Sequence, residues 1–193
     1  MQGRVLVVVA GVPGAGKSSI LEKLGHAGGL RIVNVGSLMK EISDKSGSRI
    51  DRDKIRYLPA SKMERLRSQA FKKIASMKGV VLVDTHLTIE HDGIFVPGLP
   101  MAALKAMGGV DGIIYIDAKP EELLSRRGSD NSRKREEEGL DEIELQRQAN
   151  LSMLAQYSAH LNIPFCIIHN REGRLKDAVA SFRKALRRMT PAR

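Results

Sequence analysis

Nine residues, Gly11-Val12-Pro13-Gly14-Ala15-Gly16-Lys17-Ser18-Ser19, constrain this chain more than any other stretch, because they follow directly on the apolar run Val5-Leu6-Val7-Val8-Val9-Ala10. They match G-x-x-x-x-G-K-[ST], a phosphate-binding loop pattern, at every defined position. Glycines at 11, 14 and 16 permit a tight turn and close backbone approach to a ligand. Successive N–H groups then point at phosphate oxygens, and a helix starting near Lys17 adds its positive dipole end. In this pattern residues 11–19 bind a nucleoside triphosphate, Lys17 reaches the β and γ phosphates, and Ser18 holds Mg²⁺. A chance glycine-rich turn would not need a buried-type strand before it and a helix-compatible run after it.

The apolar runs that follow set the architecture. Residues 5–10 are apolar at every position rather than at alternate ones, which predicts a strand buried on both faces of a parallel sheet. Further strands are expected at 31–35, 80–83, 112–117 and 164–168. Helices are expected after the loop, at 38–44 with Ser37 as cap, at 60–77, 101–107, 121–127, 140–160 and 173–189. Residues 88–100, punctuated by His91-Asp92-Gly93 and Pro97-Gly98-Leu99-Pro100, read as a loop. Alternation of strands and helices predicts an α/β fold of three layers, with a five-stranded parallel sheet between helices. Right-handed crossovers gather the glycine-rich loop, the end of the third strand and the segment near Arg126 at the carboxyl edge of that sheet. Residues 1–193 form a single domain, with 37–78 as a helical insert and 126–139 as a short lid.

Two clusters account for the basic character of the chain, whose net charge is +10 over 193 residues. Residues 49–73 and 171–193 each carry a surplus of six positive charges, and the rest is close to neutral. With three Tyr, four Phe and no Trp, little is present for the base stacking that single-strand binders use, so a nucleic-acid partner is not favoured. Arg65, Arg67, Lys72 and Lys73 read as a solvated helix face, whereas Arg52 and Arg56, four apart, share one face and form a candidate second phosphate grip. No apolar run reaches the ~20 residues of a membrane span. The single cysteine, Cys166, reads as a small core residue, and together with a strand starting almost at once it suggests a cytoplasmic protein.

Asp84, at the end of the apolar run 80–83, stands where nucleotide-binding folds keep the carboxylate that orients hydrated Mg²⁺. Arg126, Arg127 and Arg133 lie in the mixed-charge stretch 126–139, with Gly128 and Gly139 as candidate hinges, which reads as a lid closing over a transferring phosphoryl group.

Taken in order, Gly11 to Ser18, Asp51-Arg52-Asp53 with Arg56 and Leu58, Val83-Asp84-Thr85-His86, Pro97-Gly98-Leu99-Pro100 and Arg126-Arg127 followed by Arg133 resemble the archaeal-type adenylate kinases. The resemblance implies reversible Mg-dependent transfer, ATP + AMP to two ADP, on a P-loop kinase fold. It implies that Arg52, Arg56, Asp84, Thr85 and His86 serve the acceptor, that Ser18 and Asp84 hold the metal, and that Lys17, Arg126, Arg127 and Arg133 stabilise charge during transfer. It also implies a homo-oligomer, with a trimer as a common form. The chain departs from the family pattern at His91-Asp92 and Gly93-Ile94-Phe95, and at Arg133-Lys134-Arg135-Glu136, so acceptor-base preference stays open. Two other readings remain at this stage: a P-loop kinase for a different small acceptor, and a nucleotide-dependent RNA-binding or assembly protein.

Overall fold

In the computed structural model of the chain, which describes residues 4–25, 29–48, 58–91, 93–129 and 139–190, five parallel strands form one sheet in the order β2-β3-β1-β6-β7. These are β1 Val5–Gly11, β2 Leu30–Asn34, β3 Val80–Asp84, β6 Gly112–Asp117 and β7 Phe165–His169. Between β3 and β6 lies a separate antiparallel hairpin, β4 Thr88–His91 and β5 Ile94–Pro97. The helices are α1 Lys17–Gly25, α2 Val35–Lys45, α3 Ala60–Ala75, α4 Met101–Ala106, α5 Pro120–Gly128, α6 Leu140–Leu161 and α7 Leu175–Met189. Among the described residues no helix is long and apolar enough to cross a membrane.

The continuous apolarity of β1 has the expected cause. Leu6, Val8 and Ala10 face a core shared with α2, α3, α4 and α6, while Val7 and Val9 face a second core with α1, α5 and α7. In α3, Leu66, Ala70, Phe71 and Ile74 are buried and Met63 packs against them, and in α7 the same is true of Val179, Phe182 and Leu186 with Leu175. Burial of each such side chain is worth about 1.5–3 kcal/mol, which outweighs the modest helix propensities of these segments.

Register then decides where the chain ends meet. Val9 pairs with Asp84, Gly11 with Ile116, and Asp117 with His169, so the carboxyl ends of β1, β3, β6 and β7 share one edge. Gly11 has no room for a side chain, because a Cβ there would stand 2.4 Å from the Ile116 carbonyl oxygen.

Several sequence expectations are corrected. Helix α2 starts at Val35, earlier than expected, and its cap is Asn34, whose Oδ1 accepts from the Ser37 N–H at 2.9 Å. Ser37 is the donor in that cap. Residues 88–91 and 94–97 pair as the β4–β5 hairpin in place of the expected loop: in the sequence, two short runs with β-branched residues flank Asp-Gly, a pair that favours two-residue hairpin turns. Cys166 is half-buried on the edge strand β7, not a full core residue, and burial pushes its thiol up. Arg67 is half-buried as well, so it does not belong to a solvated face.

Candidate active site at the carboxyl edge of the sheet

The loop between β1 and α1 is fastened from outside by its carbonyl groups. Arg127 Nε donates to the Pro13 carbonyl at 3.0 Å and Asn170 Nδ2 to the Ala15 carbonyl at 2.9 Å, while Arg126 Nη1 reaches the Gly14 carbonyl at 3.5 Å. Gly14 and Gly16 adopt φ of +85° and +80°, the left-handed region that lets the backbone curl around a small volume. The Ala15 N–H closes a turn onto the Val12 carbonyl, and the Gly14 and Gly16 N–H groups have no hydrogen-bond partner among the described residues. Helix α1 begins at once with Lys17, and Ser18 and Ser19 are exposed in its first turn. Free N–H groups, a helix start and a lysine together make an anion site.

Lys17 Nζ hydrogen-bonds Asp84 Oδ1, and Asn34 Nδ2 donates to Asp84 Oδ2 at 2.7 Å. Asp84 is only 6% exposed, and these two donors offset the cost of burying its charge. Strand pairing makes the convergence inevitable, because Asn34, Asp84 and Val9 are aligned across β2, β3 and β1. Thr85 is buried and its N–H donates to the Val9 carbonyl at 3.1 Å. His86 is half-buried; its carbonyl oxygen lies where a Cβ on Gly98 would stand, at 2.4 Å, so the hairpin returns tightly against the strand end. From α6, the buried Tyr157 hydroxyl donates to the Leu99 carbonyl at 2.5 Å, and burial pushes its pKa up to about 12. The Pro97 to Pro100 turn is thereby anchored to the body of the protein.

Hard oxygen donors are what Mg²⁺ takes, with one or two protein groups and the rest supplied by phosphate and water. A buried carboxylate at Asp84 and an exposed hydroxyl at Ser18 fit that description. Among the described residues no group of three or more His, Cys, Asp or Glu could hold a metal without such help.

Arg126 and Arg127, expected in a lid, stand in the last turn of α5 against the loop. Arg127 is 7% exposed and its Nη2 donates to Gln146 Oε1 at 3.0 Å; Gln146 Nε2 in turn reaches Glu90 Oε2 at 3.4 Å. Arg126 Nε pairs with Glu172 at 3.0 Å, and its Nη2 donates to the Asn170 carbonyl at 3.0 Å. Arg52, Arg56 and Arg133 lie outside the described residues. A cavity of about 400 Å³ opens between α3 and the β4–β5 hairpin, with Leu58, Met63, Arg67, Ile89 and Val96 among its walls. Burial holds the Arg67 guanidinium below the ordinary arginine pKa.

Sequence reasoning missed Asn34, Gln146 and Asn170. Asn34 and Asn170 carried a usable signal, since each stands at or just past the end of a strand, the place that singled out Asp84. Gln146 carried none, because its partners come from α5 and β4.

Comparison with known proteins agrees with this geometry. A family model described as an AAA domain matches residues 10–144. The adenylate kinase of Methanothermobacter thermautotrophicus is 34% identical over 183 residues, 94% of this chain and 98% of that protein. The adenylate kinase of Methanopyrus kandleri is 35% identical over 187 residues, 94% of this chain and 97% of the relative. Among solved structures, a shikimate kinase from Acinetobacter baumannii in complex with shikimate superposes with a TM-score of 0.63, covering 99% of this chain and 97% of that one, at 14% identity. That likeness bears on the fold, whereas the end-to-end identity bears on ancestry. The chain belongs to the archaeal adenylate kinase family.

Proposed function

We propose that the chain catalyses reversible phosphoryl transfer from MgATP to AMP, yielding two ADP. The observation that carries this reading is the convergence of Lys17, Ser18 and Asp84 on one strand edge, in a chain that aligns end to end with adenylate kinases. Residues 11–19 bind the triphosphate of the donor. Lys17 supplies positive charge to the transferring group. Arg126, at the rim of the loop, and Arg133 add to that charge, while Arg127, buried against the Pro13 carbonyl, keeps the loop in shape. Ser18 and Asp84 would hold Mg²⁺. When bound, the metal would neutralise negative charge that develops on the phosphates during transfer.

The acceptor approaches from the side of α3 and the hairpin, with Arg52 and Arg56 as phosphate contacts and Asp84, Thr85 and His86 forming the floor. Residues 37–78 are the acceptor-binding segment; of the expected lid, 126–139, Arg126 and Arg127 belong to α5 and hold the loop instead. An oxygen of the AMP phosphate attacks the γ-phosphorus, a new P–O bond forms, and the bond from the γ-phosphorus to the β–γ bridging oxygen breaks to release ADP. Both nucleotides are ionised at neutral pH, so no proton has to be removed from the nucleophile. Positioning and electrostatic stabilisation carry the rate. Self-association, with a trimer as the expected form, is part of the same proposal.

An acceptor panel tests it. ADP formation from MgATP is expected to be fast with AMP and absent without an acceptor, with CMP, UMP and GMP measured alongside. Absence of turnover with every monophosphate, in a protein that still binds ATP, would refute the reading.

A further inference from the structure

Asn170 follows the last residue of β7, 155 positions from the carbonyl it holds, and is 6% exposed. Its backbone is fixed on both sides: the N–H donates to the Asp117 carbonyl at 2.8 Å, and the carbonyl accepts from Arg126 Nη2 at 3.0 Å. From that anchorage the side-chain amide donates to the Ala15 carbonyl at 2.9 Å. A Cβ placed on Gly16 would come within 2.1 Å of Asn170 Nδ2, so the amide also lies directly against the Gly16 backbone.

A planar trans peptide points its C=O and N–H in opposite directions. Holding the Ala15 carbonyl outward therefore turns the Gly16 N–H inward, to the concave side of the loop. That N–H has no partner among the described residues. Gly16 sits at φ +80°, where glycine rotates freely, so the peptide needs an external restraint to keep this orientation.

We propose that Asn170 is a positioning residue for the donor triphosphate, fixing the Ala15–Gly16 peptide so that the Gly16 N–H meets a phosphate oxygen. It acts through the peptide and touches no reacting atom. This rests on the reading of residues 11–19 as the donor site. An amide is required there, because a carboxylate of the same shape would set oxygen against oxygen at Ala15 and add negative charge behind the phosphates.

Asn170→Asp and Asn170→Ala test the assignment through Michaelis constants for MgATP and AMP and through calorimetric affinity for inorganic tripolyphosphate, which has no base. The expected result for Asn170→Asp is a rise of about ten- to a hundredfold in the MgATP constant, with a matching loss of tripolyphosphate affinity. The AMP constant should stay within about twofold of wild type. If the aspartate variant does not fold, the same split is read from Asn170→Ala. Unchanged tripolyphosphate affinity in a folded variant, or an equal rise for both substrates, overturns the positioning role. Failure of the donor-site reading looks different: the wild-type protein itself would bind neither MgATP nor tripolyphosphate.

Discussion

Lys17→Ala is expected to lower the maximal rate with MgATP and AMP by about a hundred- to a thousandfold, the scale seen when one preorganised charge or donor is removed from a transition state. The reason lies in the placement of the lysine. Its ammonium group is held on Asp84 at the strand edge, one residue past a loop whose Gly14 and Gly16 N–H groups stand free among the described residues. Charge on the transferring phosphoryl group would meet that ammonium where little water competes. The variant should remain folded, because Asp84 keeps its 2.7 Å hydrogen bond from Asn34. Steady-state kinetics with circular dichroism on the same samples checks both halves, and a folded variant with unchanged turnover would remove Lys17 from the mechanism. Lys17→Arg should also be impaired, since a planar guanidinium cannot replace a compact ammonium in so tight a turn.

The largest effect on stability is expected at Arg147. Its guanidinium grips Asp117 with both arms, Nε to Oδ1 at 2.9 Å and Nη2 to Oδ2 at 2.8 Å, and Asp117 is 1% exposed. The hydrogen bonds to Asp117 raise the guanidinium pKa well above the ordinary arginine value, with Glu144 adding to the effect and burial opposing it. Arg147→Ala leaves a buried carboxylate near which, among the described residues, the His169 imidazole stands with Nδ1 at 3.6 Å. Loss of one partner of a buried pair costs about 3–5 kcal/mol. For a chain of this size that corresponds to a fall in Tm of roughly 6–20 °C. Thermal unfolding followed by circular dichroism reads it. A change below about 2 °C would mean that water reaches Asp117 and that the pair is no more than a surface contact. Removing an exposed helix pair offers the comparison: Lys40→Ala breaks the contact with Asp44 at 2.6 Å and should cost well under ~1 kcal/mol.

The parts of this protein that could be read in advance are those fixed by local pattern. Val5 to Ala10 announced a central strand because both faces of that strand are buried, leaving no polar position to confuse the period. The loop that follows was legible because close approach and left-handed φ demand glycine at set positions. The hairpin was also written in the chain, at Asp92-Gly93 between β-branched runs, but the Pro97-Gly98 turn signal beside it pulled the whole stretch toward a loop. Arg126 and Arg127 looked like lid residues because their neighbours are charged; their real setting, against the Pro13 and Gly14 carbonyls, depends on where α5 docks. The Arg147–Asp117 pair was invisible for the same reason, and Asn170, although marked by its place just past a strand end, gave no sign of its partner at Ala15. Their partners come from distant elements brought together by strand order, and no spacing along the chain encodes that.

The most direct test of the central claim starts from one substrate. Given MgADP alone, the protein should convert it into ATP and AMP in equal amounts, because the loop and the acceptor side must each seat one ADP and exchange a single phosphoryl group between them. Phosphorus NMR follows both products at once. Equal growth of ATP and AMP without inorganic phosphate is the expected result; persistence of ADP, or its loss to AMP and free phosphate, would contradict the account.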